Sequence, residues 1–316
     1  MPQYLQPSQR EGTIAAIDLG SNALRAIIAR PVNGHIEVLK EVRVPLRLGE
    51  DVFTLGAITP QKMDAAEEAF IQLLHLFSDY NVEDVKALAT SAMRDARNSN
   101  VLIDQVEKTT GIVIGPIPGP EEARLIFHAV SAELDLSKQN AVLIDIGGGS
   151  TEITLVKKGE MLAAQSFNVG TVRLVRYSER SELDVRIGLH IQKIMRFINL
   201  YFKPSQIDVV VGTGGNLRRI GKIRRKILRK SSEECLFSEV AHMADTLFSM
   251  SFIERVRKLE LDPNRADVIL PATMLVKGIM EGLGAEKILL PKVGLKEGII
   301  LSMLDKKKRR FVTRPD

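Results

Sequence analysis

The sequence predicts an α/β fold made of two similar halves, each with its own sheet. Three observations predict it. Thr13–Asn22 and Ala141–Glu152 repeat one pattern: an apolar run to an acid (Asp18, Asp145), a turn of glycine and small polar residues, and a second apolar run. Both copies go on to a hairpin signal between apolar segments, Asn33-Gly34 in the first and Lys158-Gly159 in the second. Strand-like and helix-like segments then alternate over the rest of the 316 residues, as they do where helices cover a sheet. An apolar run suits a strand buried on both faces, and glycines let consecutive backbone N–H groups close on an anion.

The remaining elements follow in order. Thr59-Pro60 supplies the N-cap and first residue of a helix to about Tyr80, with Met63, Ala66, Phe70, Leu73, Leu74 and Phe77 on one stripe. Val85–Ala89 is a short strand running into Thr90-Ser91-Ala92-Met93-Arg94-Asp95. A helix from about Asn98 ends at Gly111, and Ile112–Ile117 is the next strand. Pro116, Pro118, Gly119 and Pro120 break the chain, and Pro120 opens a helix that carries Glu121 and Glu122 and runs to about Leu134. The expected division is a first domain over 1–125 and a second over 126–295, with a closing helix of about 296–312 packed back on the first. In the second half, a helix spans about Ser181–Phe202, and strand Ile207–Val211 leads into Gly212-Thr213-Gly214-Gly215-Asn216 and a basic helix. Helical segments cover Ser238–Leu259 and Arg265–Leu283, Lys287–Leu290 is a strand, and the last helix starts near Gly294.

Composition excludes several classes. Apolar content of 45% and charged content of 26% are those of a water-exposed globular protein. No run approaches the ~20 apolar residues of a membrane span, and residues 1–12 lack the apolar core of a signal peptide. Cys235 is the only cysteine, so there is no intrachain disulfide and no cysteine zinc cluster, which fits a reducing cytoplasm. His35, His75, His128, His190 and His242 have no ligand spacing, and no Ser/His/Asp arrangement is indicated. The net charge of +5 is uneven: eight cations lie between Arg218 and Lys230 and five in Lys306–Arg310. The tail reads as solvated; the first strip suits either a solvated helix face or a polyanion.

Polar clusters at strand ends and helix starts are Asp18–Asn22, Thr90–Arg94, Glu121-Glu122, Asp145–Glu152 and Gly212–Asn216. Glycine nests and hydroxyls suit phosphate, Arg94 either phosphate or Asp95, and carboxylates a divalent cation or a water. Asp145 and Glu152 are a candidate Mg²⁺ pair, against an Asx turn and a solvent-facing strand residue. Asp18, at the equivalent place, is a candidate for holding metal through water. Glu121 and Glu122 both oppose a helix macrodipole; they point about 100° apart, so one of them faces a site.

Asp18-Leu-Gly-Ser-Asn22, Ala89-Thr-Ser-Ala-Met-Arg94-Asp-Ala-Arg-Asn98, Gly119-Pro-Glu-Glu-Ala-Arg-Leu125, Ile144-Asp-Ile-Gly-Gly-Gly-Ser-Thr-Glu152 and Gly212-Thr-Gly-Gly215 together resemble the exopolyphosphatase/guanosine pentaphosphate phosphohydrolase (Ppx/GppA) family. The motifs come in the family's order across nearly the whole chain. The resemblance implies two actin/Hsp70/sugar-kinase-like (ribonuclease H-like) domains around an interdomain cleft. It implies hydrolysis of terminal phosphoanhydrides of polyphosphate; the alternatives are a (p)ppGpp or nucleoside-triphosphate phosphohydrolase, and a weakly catalytic polyphosphate or nucleotide sensor. Glu122 falls on the family's general base, Asp145 and Glu152 on its metal-associated acids, and Arg94 on its phosphate-contacting arginine. Gly20, Ser21 and Asn22, the loop Gly147, Gly148, Gly149, Ser150 and Thr151, and Gly212, Thr213, Gly214 and Gly215 would cradle phosphates. The implied cofactor is Mg²⁺ or Mn²⁺, and the implied partners are the substrate and a second copy of the chain, with neither membrane nor nucleic acid. Asn216 stands where the family more often has Thr, and Ala23 where it often has Ser. The length resembles that of short, two-domain members without a C-terminal HD-type domain.

Overall fold

A computed structural model of the chain describes residues 12–32, 35–177, 179–230, 233–304 and 311–313. Two compact units divide the chain: 1–118, 128–134 and 295–316 form the first, 119–127 and 135–294 the second. Among the sequence expectations, the lead-in over 1–11, the Asn33-Gly34 turn and the Lys306–Arg310 run lie outside the described residues.

The first unit opens with an antiparallel meander, β1 (Thr13–Leu19), β2 (Ala23–Val32) and β3 (His35–Pro45). Helices α1 (Leu48–Leu55) and α2 (Pro60–Asp79) lead to β4 (Val82–Ala89), parallel to β1. Helices α3 (Ser91–Asp95) and α4 (Ser99–Thr110) lead to β5 (Ile114–Pro116), parallel to β4. Helix α5 (Gly119–Glu133) is shared: its residues to Phe127 belong with the second unit and those from His128 with the first. The boundary expected at residue 125 falls inside this helix.

The second unit repeats the plan with β6 (Asn140–Ile146), β7 (Thr151–Lys157) and β8 (Glu160–Phe167) as the meander. Helices α6 (Thr171–Leu174) and α7 (Arg180–Asn199) lead to β9 (Val209–Thr213), parallel to β6. Then come α8 (Gly214–Leu228), β10 (Glu234–Leu236), α9 (Phe237–Ser249), α10 (Phe252–Leu259), α11 (Pro263–Ala266), α12 (Ile269–Leu283) and β11 (Lys287–Leu289). Finally α13 (Leu295–Met303) packs on β1 and β2, and β12 (Phe311–Thr313) pairs with β3, both in the first unit. The sheets read β12-β3-β2-β1-β4-β5 and β10-β11-β9-β6-β7-β8. Each contains the order third, second, first, fourth around its meander, followed by β5 in one sheet and β11 in the other, so the fold is α/β of the actin/Hsp70/sugar-kinase kind, built twice.

Local chemistry accounts for the shared parts. β1 and β6 lie centrally, and Ile14, Ile17, Leu19, Val142, Ile144 and Ile146 are buried as doubly covered strands require. Lys158 and Gly159 have φ of 50° and 84°, the left-handed pair that a two-residue hairpin turn needs. In α2, Thr59 precedes Pro60 at the helix start, and Met63, Ala66, Phe70, Leu73 and Phe77 are buried. The segment expected as one helix over Ser238–Leu259 is two, because Ser251 accepts from the Glu254 amide and caps a new helix. Helix α1 and strand β10 have no counterpart in the sequence reading.

Candidate active site

Three carboxylates meet in the second unit. Glu122 stands in the first turn of α5, Asp145 next to the last residue of β6, and Glu152 second in β7. One oxygen of each lies within 4.8 Å of the other two. Glu122 and Glu152 are 6% and 2% exposed, and Asp145 is partly exposed with its Oδ1 buried.

Each arrives for a local reason. Asp145 and Glu152 sit directly opposite in the β6–β7 register, and Glu152 is opposite Ser166 on β8. Ser166 Oγ donates to Glu152 Oε1 at 2.8 Å. Gly119 begins α5 against β8, where a Cβ would stand 2.4 Å from that of Ser166. The glycine therefore permits the close start that sets Glu122 one turn further on. Glu121 is held elsewhere by a two-pronged Arg124 contact at 2.6 and 2.7 Å. Gly214, with φ of 83°, lies so close to Asp145 that an added Cβ would stand 1.9 Å from Oδ1.

The loop between Asp145 and Glu152 is pinned by its carbonyls. Gly147 accepts from the Thr171 amide at 3.1 Å, Gly148 from Val172 at 2.8 Å, and Gly149 from Arg173 Nε at 2.6 Å. With these acceptors engaged, the loop offers donors to a ligand. Gly147 N–H closes the turn on the Ser150 carbonyl, and Thr151 Oγ1 donates to Val169. Thr213 faces Asp145 on β9, and Gly214 and Gly215 open α8, whose first amides have no acceptor within the helix. That end of a helix favours an anion. Asn216 Nδ2 ties it to β6 through the Ile146 carbonyl at 2.7 Å. Gly212 has a packing reason for its size: a Cβ would come within 3.0 Å of Ile288, Leu290 and Leu217.

The first unit carries the twin turn, with Gly20 N–H on the Ala23 carbonyl at 3.1 Å where Gly147 meets Ser150 at 2.9 Å. Its register puts Arg25 opposite Asp18, the place that Glu152 takes opposite Asp145. Arg25 Nη1 donates to Asp18 Oδ2 at 3.1 Å. Burial pushes the Asp18 carboxyl above the usual carboxylate range, although Arg25 and Lys296 pull the other way. Asp18, expected to share the metal, is not one of the three clustered acids. Ser21 Oγ accepts from the Ala92 amide at 3.1 Å and joins Gly20–Asn22 to α3. On α3, Arg94 donates to the Ile117 carbonyl at 2.8 Å.

Sequence reasoning missed Ser166, Gly170, Arg173 and Arg25. Gly170 lies against the triglycine loop, where a Cβ would stand 2.5 Å from Gly148. Counting seven residues on from each acid, 18 to 25 and 145 to 152, would have exposed Arg25.

Three like charges this close repel, and a cation relieves them. Hard oxygen donors fit a divalent ion of the magnesium or manganese type. The donor loop and helix end beside them suit phosphate.

Comparison with known proteins agrees with this chemistry. The chain is 28% identical over 316 aligned residues to the bifunctional 3-dehydroquinate synthase/phosphatase of Fusobacterium nucleatum, covering 93% of this chain and 47% of that one. It is 25% identical over 305 residues to the guanosine-5'-triphosphate,3'-diphosphate pyrophosphatase of Photobacterium profundum, covering 94% of this chain and 60% of that one. It thus spans about half to three fifths of the length of these two curated relatives. The exopolyphosphatase structure from Cytophaga hutchinsonii superposes with a TM-score of 0.84 at 26% identity, over 94% of this chain and 99% of that chain. The model of the Ppx/GppA phosphatase family matches residues 27–307, which include the acid cluster and the Gly147–Thr151 loop, while the Asp18–Asn22 turn precedes the match; the chain belongs to the Ppx/GppA phosphatase family.

Proposed function

We propose that the chain is a metal-dependent phosphoanhydride hydrolase that releases orthophosphate from the ends of inorganic polyphosphate. One observation carries it: Glu122, Asp145 and Glu152, from three elements, converge within 4.8 Å beside a donor loop and the start of α8. In this reading Asp145 and Glu152 hold Mg²⁺ or Mn²⁺, which when bound neutralises phosphate charge. Glu122 accepts a proton from the attacking water, and its place at a helix start favours the carboxylate that must do so. Gly147–Thr151 and Thr213–Gly215 hold the terminal phosphates. Positioning and charge neutralisation are most of what phosphoryl transfer requires.

The Cytophaga exopolyphosphatase, matched over nearly its whole length, supports polyphosphate. The name of the Photobacterium relative supports guanosine pentaphosphate as the second reading. We place the protein in the cytoplasm: Cys235 is its one thiol, and burial pushes it up to about 12, which keeps it inert. Among the described residues no helix is long and apolar enough to cross a membrane.

The test is phosphate release measured side by side on polyphosphate, pppGpp and ATP, with Mg²⁺ and with chelator. Faster release from pppGpp selects the second reading, and binding without release from any of them selects a sensor. Glu122→Gln should lower kcat by about 10² to 10⁴ while leaving polyphosphate affinity within a few-fold. Undiminished turnover would remove Glu122 from the role of base.

A further inference from the structure

Residues directly opposite on neighbouring strands share one face of a sheet. The register of the second unit therefore draws one row across four strands: Thr213 on β9, Asp145 on β6, Glu152 on β7 and Ser166 on β8. The twin row of the first unit is Leu88, Asp18, Arg25 and Arg43. Where the first unit sets two arginines beside its acid, the second sets another acid and then a serine. Thr213 Oγ1 turns to the Ile144 carbonyl at 3.5 Å, whereas Ser166 Oγ donates to Glu152 Oε1 at 2.8 Å.

Position 166 meets three demands at once. The first is small size. Gly119 starts α5 beside it, where an added Cβ would stand 2.4 Å from Ser166 Cβ and 3.0 Å from its Oγ. A long side chain in place of Ser166 would press on that helix start, and so on Glu122 one turn further on. The second demand is a donor. Glu152 is 2% exposed, and a buried carboxylate takes its hydrogen bonds from the protein. A glutamate side chain has several rotatable bonds, and a donor on one oxygen fixes the plane of its carboxylate. The third demand is neutrality. An arginine here, as the twin row has, would form a strong pair with Glu152 and compete with a cation for it. A hydroxyl orients the acid and leaves its charge for the ion.

We propose that Ser166 is a positioning residue for the divalent cation, orienting the Glu152 carboxylate toward Asp145 and the ion between them. The inference rests on the reading of Asp145 and Glu152 as the cation's ligands. Ser166 acts through Glu152 and is not itself a ligand. Removing a partner of this kind costs about 10- to 100-fold in metal affinity or activity.

The test uses the full chain with Ser166→Ala and Ser166→Thr. Alanine fits beside Gly119 and lacks the donor; threonine keeps the donor and adds a methyl group. Mn²⁺ is the probe, titrated into the folded protein without substrate and followed by the paramagnetic resonance signal of the free ion. Ser166→Ala should weaken Mn²⁺ binding about 10- to 100-fold, and Ser166→Thr should lie between it and the wild type. The Mn²⁺ concentration for half-maximal phosphate release should rise by the same factor in Ser166→Ala, while kcat at saturating Mn²⁺ stays within a few-fold. A packing role alone gives the opposite order: alanine, the smaller, would bind Mn²⁺ as the wild type does, and threonine less well. That order overturns the proposal. So does an equal loss of kcat at every Mn²⁺ concentration with Mn²⁺ affinity unchanged. Wild-type protein that binds Mn²⁺ but releases no phosphate from polyphosphate overturns the polyphosphate reading alone, and the binding titration still decides Ser166. Wild-type protein that binds no Mn²⁺, or Glu152→Gln that binds it as tightly as the wild type, overturns the cation reading, and the role of Ser166 falls with it.

Discussion

At Gly214 two physical demands coincide. Its φ of 83° lies where a side chain is strained, and the space a Cβ would take is 1.9 Å from Asp145 Oδ1. Gly284 separates the two effects, because its φ is 63° and nothing lies within 4 Å of an added Cβ. Gly284→Ala should therefore cost about 1 kcal/mol in denaturant unfolding, the backbone term alone, and leave turnover unchanged. Gly214→Ala carries the same backbone term and must also displace the Asp145 carboxylate. Since a misplacement of about 1 Å can cost about a hundredfold in rate, phosphate release should fall by that order. Equal activities in the two variants would show that Asp145 can move without consequence. Glu121 and Glu122 illustrate a limit at this scale. Capping logic favours both, and only tertiary contacts, with Arg124 for one and the acid cluster for the other, separate them.

Elements were legible where the local signal and the packing agree. Thr59-Pro60 with its apolar stripe gave α2, and Gly111, with φ of 73°, ended α4 as expected. The twin turns were legible because an apolar run, an acid and glycines sit at fixed spacing. Helix α1 was not, because it has no side-chain cap and begins after Arg47 in the left-handed region. Ser166 and Arg173 were not, because each acts across strands or loops that sequence spacing does not pair. The α8–α9 clamp was hidden in the same way. Glu239 accepts from Arg224 at 2.7 Å, Lys230 at 2.6 Å and the Leu236 amide at 2.9 Å, and it is 6% exposed, as Arg224 is 4%. Glu239→Gln leaves a buried guanidinium without its counter-charge and should cost about 3 to 5 kcal/mol in unfolding free energy. These donors hold the Glu239 carboxyl below its ordinary 4.5 despite the opposing pull of burial. Its contribution is thus present above pH 4.5 and is lost as pH falls through the lower folded value. Wild-type stability should fall more steeply than that of Glu239→Gln over that acid range. Parallel pH profiles would assign the clamp no electrostatic role.

Across the molecule, one topology occurs twice with one change of sign. In the first unit Asp18 faces Arg25 across the hairpin, so the acid has a cation built in. In the second, Asp145 faces Glu152, and Glu122 joins them. Like charges directly opposite on a sheet destabilise it, so, in the reading of these acids as a cation site, a bound cation should stabilise the second unit. Binding to the folded state alone must then raise stability with the concentration of free metal. Unfolding of the wild type should shift to higher temperature with added Mg²⁺ or Mn²⁺ and shift back with chelator. Glu152→Gln keeps the shape and removes one charge. Without metal it should be more stable than the wild type by about 1 kcal/mol, about 1.5 °C for a chain of this size. It should also lose most of the metal-dependent shift, together with phosphate release. Both outcomes follow from one cause, so they must appear together. A variant with lower metal-free stability and an undiminished metal shift would show that the three acids are relieved within the fold, and that the cation is held elsewhere.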